Sequence, residues 1–168
     1  MTLYHGSDQI IKSPEFRPSI RTLDFGPGFS TTTNKEQAEN FAIKVYDRSI
    51  RSGDTTKGKY ISIYEADYEE IQKELDVLRF KSADEEWFDF IIANRRNFYD
   101  ENRYDVIYGP VANDTIYRTL GAFENGILSK TETIARLKVR QLFNQMTFTS
   151  ERSLSFLEYS GFTEVRDA

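Results

Sequence analysis

Leu23-Asp24-Phe25-Gly26-Pro27-Gly28-Phe29-Ser30-Thr31-Thr32-Thr33 is the stretch whose reading decides the fold. Asp24 to Gly28 concentrates turn-forming residues. Phe29 to Thr33 is aromatic and then hydroxylated and β-branched, the composition of a strand. Asn34 follows as a helix N-cap, and Ala38, Phe41, Ala42 and Val45 recur three and four apart on one helical face. The chain therefore turns, enters a strand and leaves through a capped helix.

Working outward, Thr2 to His5 reads as a short strand ended by Gly6-Ser7-Asp8. Lys59 to Ala66 alternates around Ile61, Ile63 and Tyr64, a strand pattern. Ser82 and Glu85 form a capping box opening a helix with Trp87, Phe88, Ile91 and Ile92. Tyr104 to Tyr108 is a strand stopped by Gly109-Pro110. Asn113 or Asp114 starts another helix, and Ser129 with Glu132 forms a second capping box. Leu142 to Phe148 reads as a strand, Glu151 to Leu157 as a short helix or turn, and the tail as a last strand. Strands recur between helices without an even βαβ rhythm, so the fold class is α+β.

At 168 residues, with no repeat and no linker, the chain reads as one domain over 1–168. Aromatic residues make up 14%, which excludes disorder as the organising state. No apolar run approaches the roughly 18 residues of a membrane span. The opening Met1 to Gly6 is neither basic nor continuously apolar, so no secretory signal is expected. There is no cysteine and only one histidine, His5. Disulfides, thiolate chemistry and multi-imidazole zinc sites are excluded, and no metal is expected. The 22 basic against 27 acidic side chains give a net charge of −5, which argues against broad duplex nucleic-acid binding. A cytoplasmic, metal-independent protein is the expectation.

Three segments carry candidate chemistry. His5-Gly6-Ser7 reads either as a histidine satisfied at a strand end or as a cleft wall, with Gly6 admitting close approach to the backbone. The Asp24 to Gly28 turn matches neither dinucleotide nor P-loop spacing; Arg21, three residues before it, either meets an anionic ligand there or is solvated. In the strand Leu142 to Phe148, Asn144 shares the parity of Leu142, Met146 and Phe148, while Gln145 and Thr147 point the other way.

Taken together and in order, these segments resemble a bacterial family named mainly as a domain of unknown function. The likeness runs through Leu3-Tyr4-His5-Gly6-Ser7, Leu23 to Thr33 and Glu36-Gln37-Ala38-Glu39-Asn40-Phe41-Ala42. It continues through Glu86-Trp87, Asn94-Arg95-Arg96 and Tyr104 to Asp114, and ends at Asn144-Gln145-x-x-Phe148-x-x-Glu151-Arg152-x-Leu154. The resemblance implies an ADP-ribosyltransferase-like fold: split, largely antiparallel sheets with flanking helices around an NAD cleft. It also implies a toxin of a toxin–antitoxin or phage-defence module, partnered by a cognate antitoxin.

The motifs are similar, more distantly, to the poly- and mono-ADP-ribosyl polymerase branch. That similarity matches His5 to a histidine bonding the adenosine ribose and Gly6 to a glycine whose backbone holds the nicotinamide amide. Gly26-Pro27-Gly28-Phe29-Ser30 matches a glycine-rich strand ending in tyrosine, and Phe41 the aromatic that stacks on nicotinamide. Gln145 falls on the catalytic glutamate. The implied NAD-binding set is His5, Gly6, Arg21, Phe25, Gly26, Phe29, Ser30, Thr31 and Phe41; the implied catalytic set is His5, Gln145 and Glu151, with Glu151 assisting deprotonation. Two departures bear on chemistry. Ser30 stands for the tyrosine and Gln145 for the glutamate, and an amide cannot accept a proton as a carboxylate does. The expected function is single-unit ADP-ribosyl transfer from NAD to a protein or nucleic-acid acceptor, a glycosyltransferase reaction. The alternatives are a non-catalytic NAD- or ADP-ribose-binding module and an NAD glycohydrolase.

Overall fold

The computed structural model describes residues 1–16, 24–96, 104–111, 114–138 and 142–166. Among them, seven strands and six helices follow in the order β1 (Thr2–Ser7), β2 (Phe29–Thr32), α1 (Lys35–Arg51), β3 (Tyr60–Glu65), α2 (Tyr68–Glu74), β4 (Val77–Arg79), α3 (Glu85–Arg95), β5 (Val106–Val111), α4 (Asp114–Glu124), α5 (Lys130–Lys138), β6 (Phe143–Phe148), α6 (Glu151–Leu154) and β7 (Glu158–Glu164). The α+β class is as expected. The strands join one mixed sheet of order β4-β5-β6-β2-β1-β3-β7, antiparallel except between β4 and β5. Two small sheets packed face to face are not what forms, because β2 bonds to β6 on one side and to β1 on the other.

Local chemistry explains most boundaries. The Asn34 side chain accepts from the Gln37 backbone N–H at 3.0 Å and starts α1. The Ser129 box forms as expected: its hydroxyl accepts from the Glu132 N–H, and the Glu132 carboxylate accepts from the Ser129 N–H. At α3 the cap is Asp84, which accepts from the Trp87 N–H at 3.0 Å. The Ser82 box does not form, because the carboxylate two residues later reaches the first turn and Ser82 Oγ donates to it instead. Gly109-Pro110 does not stop β5 either. The Thr149 N–H donates to the Asp105 carbonyl, so odd positions of β5 bond to β6 and even ones face β4. Register with β4 ends at Tyr108, so the missing N–H of Pro110 deprives no neighbour. The Pro110 carbonyl accepts from Trp87 Nε1 at 2.6 Å.

A hydrophobic core lies on each face of the sheet. On one face Ile107 and Val111 of β5 pack with Phe25, Trp87, Phe88, Ile91 and Leu120. On the other, Leu3, Phe29, Tyr64, Met146 and Phe148 pack with Ile71 of α2 and, at the margin, Leu154 of α6. Helix α1 shares the first face. A Cβ on Gly6 would lie 2.0 Å from the Ala38 carbonyl oxygen and 2.8 Å from Ala42 N, so the helix backbone rests directly on β1. Among the described residues no helix is long and apolar enough to cross a membrane.

Candidate functional site

The middle of the sheet is its weakest junction. β1 registers with β3 over six consecutive residues, but with β2 at one pair only, Tyr4 opposite Thr32. Beyond that pair β1 and β2 form no further register pair among the described residues, and their junction is a seam. The Ala66 N–H donates to the Met1 carbonyl, so odd positions of β1 exchange backbone bonds with β3 and even ones face β2. The N–H and C=O of Gly6 therefore line the seam.

His5 fills part of it. Its Nδ1 lies 2.7 Å from the Ser30 carbonyl oxygen, and its ring stacks on Phe29 with centroids 4.3 Å apart. Burial pushes the imidazole pKa below its usual value, against an opposing pull from the Ser30 carbonyl. The neutral ring donates from Nδ1 and keeps a lone pair at Nε2. His5 and Phe29 also line a cleft of about 460 Å³, together with Gly28, residues 7–13 and Glu15. Clefts for small ligands run on the order of 300–1,000 Å³. Ile11 pins this loop: its N–H donates to Ser62 Oγ at 2.9 Å and its carbonyl accepts from the buried Tyr64 hydroxyl.

Gln145 reaches Ser30 from the opposite face. Register pairs Ser30 with Thr147 and Thr32 with Gln145, placing all four side chains on the α1 face, whereas Phe29 and Met146 belong to the other core. Gln145 Nε2 donates to Ser30 Oγ at 3.2 Å and to Thr147 Oγ1 at 2.9 Å, and the two hydroxyls lie 3.3 Å apart. Ser30 is thus the hinge of the constellation: His5 holds its carbonyl and Gln145 its hydroxyl.

Phe41 belongs to this side as well. Ala38 and Ala42 rest on Gly6 and Ser49 bonds to Asp8, so α1 runs along β1 and antiparallel to β2. Gln37 receives the Thr32 hydroxyl at 2.6 Å. Four helical residues advance about 6 Å, and two strand residues about 6.7 Å. Phe41 therefore stands over the stretch of β2 that holds Ser30. At 53% exposed it is not a core residue, although Ala38 and Ala42 beside it are.

A family model described as "Protein of unknown function (DUF3990)" matches residues 1–159. The chain belongs to the DUF3990 family. No curated protein and no solved structure matches it.

In this DUF3990 chain the expected site residues divide. His5 and Phe29 lie on one face of the sheet and Gln145 on the other, linked only through Ser30, whose carbonyl meets His5 and whose hydroxyl meets Gln145; the Gly6 backbone faces β2, and Phe41 is an exposed residue of α1. Phe25 does not join them: its ring is fully buried against Phe80 and Phe90, as a core aromatic. Gly26, with φ at +75°, serves the turn. Thr31 is buried and donates to the Met146 carbonyl, fastening β2 to β6. Glu151 is exposed in the first turn of α6, past the far end of β6. From Gln145 to Phe148 alone is about 10 Å of strand, so this carboxylate does not assist at Gln145. Arg21 lies outside the described residues. Thr147, to which sequence reasoning assigned no role, is the addition; its only signal was its shared parity with Gln145. Among the described residues no cluster of three or more His, Asp or Glu side chains is arranged to hold a metal.

Proposed function

We propose that this chain is an NAD-dependent mono-ADP-ribosyltransferase that modifies a macromolecular acceptor, in the setting of a toxin–antitoxin or phage-defence module. The observation that carries the reading is the seam, where one imidazole, one amide and the Thr147 hydroxyl surround Ser30 and the backbone of Gly6 faces β2. A carboxamide needs one acceptor for its NH₂ and one donor for its oxygen, and Gly6 offers both. Ribose hydroxyls need acceptors, and His5 Nε2 and Gln145 Oε1 supply them on the two faces of the sheet. A ligand in the cleft lined by His5, Phe29, residues 8–13 and Glu15 would meet His5 directly, and the Ser30–Gln145 cluster stands across the sheet from it. The exposed ring of Phe41 supplies a stacking surface.

The chemistry follows from what these groups lack. Cleavage of the nicotinamide–ribose bond passes through an oxocarbenium-like state, and nicotinamide leaves with the bonding electrons. The acceptor's nucleophile forms the new bond to the anomeric carbon, and its proton passes to solvent. Gln145 takes no proton in this scheme; it orients a hydroxyl or the incoming nucleophile. Orientation alone can supply on the order of 7–11 kcal/mol when it is ideal.

The absence of a carboxylate at Gln145 equally favours a second reading, a module that binds NAD or ADP-ribose without turnover. Nicotinamide release from NAD, measured with cellular protein and RNA present, separates the two. Release with an ADP-ribose mass increment on a macromolecule supports the transferase. Binding without release supports the module, and release with free ADP-ribose alone identifies a glycohydrolase. No NAD-dependent thermal shift at all would refute every NAD-based reading.

A further inference from the structure

The amide of Gln145 has two ends of nearly equal shape, and the hydroxyls that hold it both donate and accept. Counting bonds decides which end faces inward. With Nε2 inward, its two hydrogens go to Ser30 Oγ and Thr147 Oγ1, and the 3.3 Å contact between those hydroxyls remains a third hydrogen bond. With Oε1 inward, both hydroxyl hydrogens are spent on that oxygen and the third bond is lost. Inward Nε2 satisfies more of the cluster, and burial raises the cost of any group left unpaired. Thr147 is fully buried, and its contact is the shorter of the two at 2.9 Å.

We propose that Thr147 is a positioning residue: it fixes the Gln145 amide so that Oε1, an acceptor, is the end presented to the ligand. The site is thereby set to take a ligand hydroxyl. After two amide hydrogens and one hydroxyl–hydroxyl bond are placed, one hydroxyl hydrogen of the Ser30–Thr147 pair is left to donate. One outward acceptor beside one spare donor suits a vicinal diol, one hydroxyl giving a hydrogen and the other receiving one. The inference rests on the NAD reading for the identity of that diol, the ribose. Without the Thr147 hydroxyl the amide can turn, accept from Ser30 through Oε1, and present NH₂ where an acceptor belongs.

The test compares NAD affinity, by calorimetric titration of the full chain, among wild type, Thr147→Ser, Thr147→Val and the double variant Thr147→Val/Gln145→Glu. Thr147→Ser keeps the hydroxyl and should bind as wild type does. Thr147→Val should bind about tenfold more weakly, the loss of roughly one hydrogen bond. The double variant should recover, because a carboxylate presents an oxygen whichever way it turns. A merely structural role for Thr147 would leave the double variant as weak as Thr147→Val. That result, or wild-type affinity in Thr147→Val, overturns the proposal. Exchange of the Gln145 side-chain amide hydrogens, followed by NMR without ligand, tests the positioning separately from NAD. Slow exchange in wild type and fast exchange in Thr147→Val is expected; fast exchange in wild type overturns it. If wild type shows slow exchange yet binds no NAD, the amide is positioned as proposed and the NAD-based readings fall instead.

Discussion

Replacing Phe41 with alanine separates two roles that the helical pattern alone leaves together. A core phenylalanine costs about 3–5 kcal/mol on truncation to alanine. Phe41 is 53% exposed, so about half of the roughly 1.5–3 kcal/mol of a fully buried side chain is at stake, near 1 kcal/mol. Alanine is also the better helix former in the interior of α1, which returns about 0.5 kcal/mol. The net loss of about 0.5–1 kcal/mol corresponds to a fall in Tm of roughly 1–4 °C for a chain of this size. Binding should suffer more visibly. Loss of an aromatic stacking partner is worth about 0.5–1.5 kcal/mol beyond burial, a weakening of NAD binding by roughly 2- to 13-fold. Thermal melting with and without NAD reads both quantities on one sample. A variant that melts near wild type and binds NAD unchanged refutes stacking at Phe41. A fall in Tm above about 10 °C would instead refute the placement of the ring outside the core.

Further outcomes are expected at the seam. Gly6→Ala should destabilise by at least about 1–3 kcal/mol, since its Cβ meets the α1 backbone at 2.0 Å and the helix must lift; a denaturant midpoint equal to wild type would contradict that packing. His5 has a lower pKa folded than unfolded, so below about pH 6.5 the unfolded chain takes up a proton that the folded one resists. Its contribution is intact above that pH and is lost as pH falls towards the folded value. Melts from pH 7.5 to 5 should show a decline that His5→Gln lessens, and parallel profiles would count against the burial of the ring. Gln145→Ala should lower NAD turnover by on the order of 10²-fold and stability by only about 1 kcal/mol; full activity in that variant would move the chemistry elsewhere.

Local rules made much of this fold legible. The Asn34 cap and the Ser129–Glu132 box each depend on neighbours within one turn, and each formed as its residues imply. The alternation read over Leu142 to Phe148 holds from Gln145 to Phe148, but Leu142 precedes β6 and packs in the other core, because the sheet is covered on both faces, and Asn144 is exposed. Sheet order was not legible, because nothing in β2 announces that it lies between β1 and β6. Helix α2 and strand β4 escaped notice because both are short, and β4 draws its pairing from a β5 that begins 27 positions later. Pro110 misled for the same reason: a proline ends a strand only where a neighbour needs its N–H. At the site, parity put Gln145 and Thr147 on one face, but only the register with β2 shows that Ser30 joins them. Glu151 failed as a candidate because proximity in sequence along a strand is distance in space.

A sheet with its weakest joint in the middle behaves differently from one that frays at an edge. The strands β3 and β1 with β7, and the strands β2, β6, β5 and β4, are two ladders coupled through a single register pair and splinted by α1, which rests on Gly6 and grips Thr32 through Gln37. On the proposed reading, a ligand held at the seam would act as a missing rung between Gly6 on one bank and Ser30 on the other. Occupancy would therefore be felt as stiffness across the whole sheet and not only where the ligand lies.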